Sequence, residues 1–133
     1  MRIIDVQGIG PAYAAKLAGV GIRTTDALLK KGATPKGRKE ISKSSGVGHA
    51  LILKWVNMAD LYRIKGIGSQ YSELLEAAGV DTVVELAKRV PDALHAKMVK
   101  INQARNLVNG MPGLRQVKSW VGQAKRMRRA VSY

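Results

Sequence analysis

Apolar residues recur along this chain at intervals of three and four. Tyr13, Leu17 and Val20 fall on one face at helical spacing, as do Tyr71, Leu74, Leu75 and Ala78. The spacing predicts an amphipathic helix in each place. Gly21 and Gly79 follow as C-terminal stops, where a left-handed residue closes a helix. Thr82 and Glu85 have the spacing of a capping box that opens "VVELAKRV", and Thr24 stands at the matching start upstream. Thr34-Pro35 and Val90-Pro91 open further helices, because proline at the first helical position lacks only a donor that would be orphaned there. The β-branched residues of "DTVVEL" are the main strand-like signal, and the threonine cap outweighs them. An all-α chain is expected.

The pattern is used twice. A shift of 58 positions superposes Gly8, Ile9 and Gly10 on Gly66, Ile67 and Gly68, and brings Tyr13 onto Tyr71, Leu17 onto Leu75, Gly21 onto Gly79 and Leu28 onto Leu86. Further along, Trp55 recurs as Trp120, 65 positions later. Self-similarity of this kind predicts an internal duplication: tandem units at 1–59 and 60–127, then a basic tail at 128–133. The second unit has gained about seven residues, placed between Pro91 and Gly113.

The doubled glycines raise a chemical question. Gly8 and Gly66 suit a tight turn that other residues cannot make, while Ile9 and Ile67 point inward to anchor it. Gly10 and Gly68 come just before a helix, so their bare amides face outward beside the positive end of the helix dipole. That is an anion site without a side chain. A third copy, "SSGVGHALILKWV", sets Gly46, Val47 and Gly48 between two candidate helices, and "NGMPGLRQVKSWV" is a degenerate fourth with Gly110 and Gly113. The triplet Gly19-Val20-Gly21 matches the pattern but aligns with the helix end Ala77-Ala78-Gly79.

These motifs resemble the helix-hairpin-helix superfamily of backbone-directed DNA-binding modules. From about Val6 to Met127 the chain is similar to a bacterial family, a domain of unknown function, of duplicated helix-hairpin-helix proteins. In that family the Trp55 and Trp120 motifs and "ADLYRIKGIG" recur. The resemblance implies tandem helix-hairpin-helix units whose neighbouring hairpins hold phosphates on the two strands of a duplex. Superfamily members commonly carry Lys or Arg early in the second helix. Here Lys16 fills that role in unit one, whereas unit two has Glu73 and Glu76, with Lys65 ahead of the turn.

Charge agrees with an anionic partner. Twenty-three Lys and Arg oppose nine Asp and Glu, for a net +14 and a pI near 10.5, which points to nucleic acid or an anionic surface. One cluster comprises Lys30, Lys31, Lys36, Arg38, Lys39 and Lys43. Lys36, Lys39 and Lys43 are expected on one helix face. The other comprises Arg115, Lys118, Lys125, Arg126, Arg128 and Arg129, and no acidic residue follows Asp92. The expected phosphate-binding set is therefore Gly8, Ile9, Gly10, Gly46, Val47, Gly48, Gly66, Ile67 and Gly68, with Lys16, Lys36, Arg38, Lys39, Lys43, Lys65, Arg115, Lys118, Lys125 and Arg126.

The expected ligand is double-stranded DNA of any sequence, branched or damaged forms included. No segment resembles a recognition helix rich in Arg, Asn and Gln for base edges. Few aromatics interleave with the basic residues to stack single-stranded bases; Trp55, Trp120, Tyr13 and Tyr71 read as core. Protein docking without DNA is the alternative, because Glu73, Glu76 and Glu85 dilute the positive charge of unit two.

Other chemistry is thinly represented. There is no cysteine, which excludes disulfides and thiolate chemistry. His49 and His95 lack a second ligand at metal spacing, and no phosphate loop or clustered acid pair is present. No metal, cofactor or enzymatic activity is expected. A Schiff-base lyase acting on abasic DNA is the one enzymatic alternative, with Lys36 or Lys39 as the amine in a cationic neighbourhood. No run of about twenty apolar residues occurs, so a cytoplasmic, nucleoid-associated protein without a membrane span is expected.

Overall fold

In the computed structural model, which describes residues 1–133, the threonines and prolines start helices as their chemistry dictates. The order is a 3-10 turn at Ile3–Asp5, then α1 (Pro11–Ala18), α2 (Thr25–Lys31), α3 (Pro35–Ser45), α4 (His49–Leu61), α5 (Ser69–Ala77), α6 (Val83–Ala87), α7 (Pro91–Arg105) and α8 (Leu114–Arg126). The fold is all-α. Its single extended pairing is an isolated bridge between Arg2 and Thr24. No helix is long and apolar enough to cross a membrane.

Local contacts recur 58 residues apart. Thr24 accepts from the Ala27 amide at 3.1 Å and Thr82 from the Glu85 amide at 3.2 Å. Each satisfies a donor that a helix start leaves orphaned. The Glu85 carboxylate is held by Arg89 at 3.1 Å. Gly21 (φ +83°) and Gly79 (φ +92°) take the left-handed conformation. The next amides reach back into the helix, Ile22 to the Leu17 carbonyl at 2.9 Å and Val80 to that of Leu75 at 2.8 Å, the Schellman closure. α6 stops at Ala87 with Lys88 as its C-cap, shorter than the expected "VVELAKRV" helix.

The chain forms two compact units, 1–60 with 129–133 and 61–128. In unit one Trp55 meets Tyr13 edge-on, ring centroids 5.1 Å apart at 65°, among buried Leu17, Ile22, Leu28, Ile52 and Val56. In unit two Trp120 and Tyr71 lie 5.4 Å apart, and α8 packs against α6 and α7. Leu74, Leu75, Leu86, Met98 and Val121 complete that core. Both tryptophans are core residues. Unit two is longer because α7 has 15 residues against 11 in α3. Its following connection also spans 106–113, where unit one needs only 46–48.

Residues 128–133 are not a loose tail. Arg129–Tyr133 belong to unit one, where Val131 is buried and the Ser132 amide donates to the Ala33 carbonyl at 2.7 Å. The Tyr133 hydroxyl reaches Asn57 Oδ1 at 2.6 Å. Five residues without periodicity carry no pattern that announces such a contact, which is why the boundary differs from that expected.

Candidate nucleic-acid interface

Apart from α7, which follows Val90, the helix starts divide into two kinds. At α2, α3 and α6 a threonine caps the helix, Thr34 accepting from the Gly37 amide at 3.1 Å. At α1, α5 and α8 the N-cap is Gly10, Gly68 or Gly113, and no side chain caps the amides. Gly48 stands in the same place before α4, its carbonyl accepting from Ile52 at 3.1 Å.

The conformation of these four positions does not demand glycine. Gly10 has φ −82°, Gly68 −103° and Gly113 −73°, all ordinary extended backbone, and Gly48 is not among the positive-φ residues. A Cβ added at any of the four would meet nothing within 4 Å. Serine, asparagine or aspartate would cap each helix better. What glycine provides is an unobstructed path to the amides at a positive helix end.

The first glycine and the central residue of each triplet do different work. Gly8 (φ +90°), Gly46 (φ +76°) and Gly66 (φ +100°) supply the left-handed bend. Ile9, Val47 and Ile67 are buried anchors. Their amides are already bonded: Ile9 to the Val6 carbonyl at 3.0 Å, Ile67 to that of Ile64 at 3.2 Å, and Val47 to Ser45 Oγ at 3.2 Å. The Gly46 amide likewise donates to the Ser42 carbonyl at 2.9 Å. Ile9, Val47, Ile67 and Gly46 therefore leave the phosphate-binding set, because a donor spent inside the fold is not offered outside it.

Gly66 has a second, internal reason to be glycine. A Cβ there would stand 2.9 Å from Trp120 Nε1, an indole nitrogen with no hydrogen-bond partner. The Lys65 amide donates to Gln123 Oε1 at 2.9 Å, and Gln123 Nε2 returns to the Lys65 carbonyl at 3.1 Å. The turn ahead of α5 is thus clamped to α8, and the helix continues with half-buried Glu73 and exposed Glu76.

The expected cations are exposed with one exception. Lys36, Lys39 and Lys43 share a face of α3 over about 10 Å of axis, roughly the rise of three base pairs. Lys16 is exposed on α1 with its Nζ 5.8 Å above the Tyr13 ring, and the Lys65 side chain is exposed. Arg115, Lys118, Lys125 and Arg126 line the outer face of α8, opposite buried Val117, Trp120, Val121 and Ala124.

Arg38 is the exception. It is 3% exposed and donates to the Gly32 carbonyl at 2.9 Å and the Ser132 carbonyl at 2.8 Å, so it leaves the expected phosphate-binding set. On α3 it lies one residue round from Lys39, on the face that turns inward with Ile41.

Gly113 is the residue that the glycine triplets did not single out for the site. It opens α8 immediately before Arg115 and Lys118. The signal that locates it is the 65-residue offset, which places it on Gly48. His49 is exposed in the first turn of α4, whereas His95 Nε2 is 2.9 Å from the Pro112 carbonyl.

Positive charge is shared evenly. Unit one holds 11 Lys and Arg against 4 Asp and Glu, unit two 12 against 5, so each carries 7 net positive charges. No curated protein and no solved structure matches this chain. One family profile does, over residues 7–127, and the chain belongs to that family, the domain of unknown function DUF4332.

Proposed function

We propose that this protein binds double-stranded DNA without regard to sequence, through main-chain amides at glycine-led helix starts and the lysines and arginines beside them. The observation that carries this reading is the open glycine at the head of α1, α4 and α8, where neither backbone angle nor neighbouring atoms require one. A phosphate oxygen is small and fully charged, and it approaches bare amides more closely than a capped helix permits. Lys16, Lys43, Arg115 and Lys118 then add charge-assisted contacts near those starts. Short turn, left-handed glycine, buried aliphatic anchor and helix form the arrangement for which the chain resembles the helix-hairpin-helix superfamily, and tandem duplication of such units accounts for contacts repeated at residues 58 apart.

Phosphate contacts position a protein on a duplex but read no sequence. The core placement of Trp55 and Trp120 removes the largest aromatic surfaces from base stacking. The test is a fluorescence-anisotropy titration with a random-sequence duplex, a single strand and a four-way junction, at low and moderate salt. Salt-sensitive binding that favours duplex or junction is the expected result. Absence of binding at low salt would remove the amides at these helix starts from any DNA interface and direct attention to a protein partner.

A further inference from the structure

The turn at Gly21, the end of α2 and one stripe of α3 border an open cavity in unit one, about 350 Å³ in volume. That lies at the lower end of the range for small-molecule sites. Val20, Ile22 and Ile41 are its apolar lining, and Lys31, Glu40 and Ser44 its polar lining. Glu40, Ile41 and Ser44 stand at helical spacing on α3. Gly37 continues the stripe, and a Cβ there would collide with the Lys31 carbonyl, so glycine lets α3 start close against the end of α2.

The two charges of this cavity are not spent on each other. Glu40 is the only acid on α3, and Lys36 and Lys43 stand at the spacings where helix ion pairs form. It pairs with neither of them, nor with Lys31. Lys31 Nζ donates once, to the Val20 carbonyl at 3.1 Å, and an ammonium has further donors to offer.

Unit two satisfies the matching cation internally. At the 58-residue offset Lys31 becomes Arg89, which donates to the Gly79 carbonyl at 2.9 Å and to the Glu85 carboxylate at 3.1 Å. The residue matching Glu85 is Ala27, so unit one withholds that acid. Space differs as well. A Cβ on Gly79 would stand 3.2 Å from Arg89 Nη2 and 3.7 Å from Lys97 Nζ, whereas one on Gly21 would meet Lys31 Nζ alone. One copy of the turn is thus self-paired and crowded. The other is open, with an ammonium and a carboxylate over an apolar floor.

We propose that this cavity binds a small zwitterion, an α-amino acid with an apolar side chain. Its carboxylate accepts from Lys31, its ammonium donates to Glu40 and the Ser44 hydroxyl, and its side chain covers Val20, Ile22 and Ile41. A simple anion would meet the like charge of Glu40, and a simple cation that of Lys31. A zwitterion complements both. The site goes beyond the DNA-binding reading and stands whether or not duplex binds.

The probes are L-leucine, leucinamide, N-acetyl-leucine and glycine, each titrated into the isotope-labelled protein and followed by heteronuclear NMR. Leucine is expected to give saturable shifts at the amides of Ile22, Ile41 and Ser44. Leucinamide lacks the carboxylate, N-acetyl-leucine the ammonium and glycine the side chain, and each should bind about fivefold more weakly or worse. Glu40→Gln breaks no bond of the folded chain and should bring leucine and N-acetyl-leucine to equal affinity. Lys31→Gln should do the same for leucine and leucinamide. No saturable shift with leucine, or equal affinity for all the probes, overturns the site. Binding of leucinamide or N-acetyl-leucine as tight as that of leucine overturns the zwitterion, and equally tight glycine overturns the apolar side chain. A preference for leucine that survives both substitutions overturns the roles of Glu40 and Lys31.

Discussion

Glycine 66 and glycine 48 look alike in sequence, yet their surroundings assign them opposite purposes. Gly66 combines φ +100° with a Cβ position 2.9 Å from the buried Trp120 indole. Gly66→Ala should cost about 2–3 kcal/mol, from left-handed strain plus displacement of a packed ring. Gly8→Ala, with φ +90° and open space, should cost only about 1 kcal/mol. Thermal or urea unfolding of the pair measures the difference, and equal losses would contradict the contact with Trp120. At Gly48 and Gly113 the expectation reverses. Serine there should stabilise by about 0.3 kcal/mol as a better N-cap, while its side chain obstructs an approaching phosphate and weakens duplex binding. A variant that unfolds later but binds less separates the ligand's need for glycine from the fold's. Undiminished affinity in both would remove the amides from the interface.

At the scale of elements, each helix start is decided by what stands before it. The threonine caps are internal to the fold, so Thr24→Ala and Thr82→Ala should each cost about 1 kcal/mol and leave affinity for DNA at fixed salt unchanged once the protein is folded. Circular dichroism melts and duplex titrations check the two halves of that statement. The exposed face of α3 behaves in the opposite sense. Neutralising Lys36, Lys39 and Lys43 together with glutamine should leave the melt nearly unmoved, because all three are exposed and make little contribution there. The same change should lower the salt slope by up to about 2.7, at roughly 0.9 for each phosphate that the protein no longer neutralises. A slope unaltered by the triple substitution would place the DNA elsewhere. Helix positions were largely legible in sequence, since Pro35, Pro91, Thr24 and Thr82 act on their own backbone neighbours. The allocation of amides was not, because whether Val47 bonds to Ser45 or to an outside anion depends on how the turn closes.

For the molecule as a whole, the net charge of +14 makes salt the first variable to control. Affinity for random duplex should fall by about 10³ or more between 50 and 200 mM salt if six or more phosphates are neutralised. It should also vary little among duplex sequences of equal length. Weak salt dependence, or discrimination among sequences, would contradict binding through the phosphate backbone and favour a protein partner or base readout.

Residue periodicity, caps and the 58-residue self-match were sufficient to read an all-α chain with recurrent glycine turns, because these features act through neighbours a few residues apart. The sequence also displayed the cations, but not their exposure. Only tertiary structure decided that Lys39 faces solvent while Arg38, its neighbour, is buried against Gly32 and Ser132. It likewise decided that Gly66 touches Trp120 and that residues 129–133 join unit one. Each of these involves a contact between residues more than fifty positions apart, where no local propensity or period applies and packing alone chooses the partner.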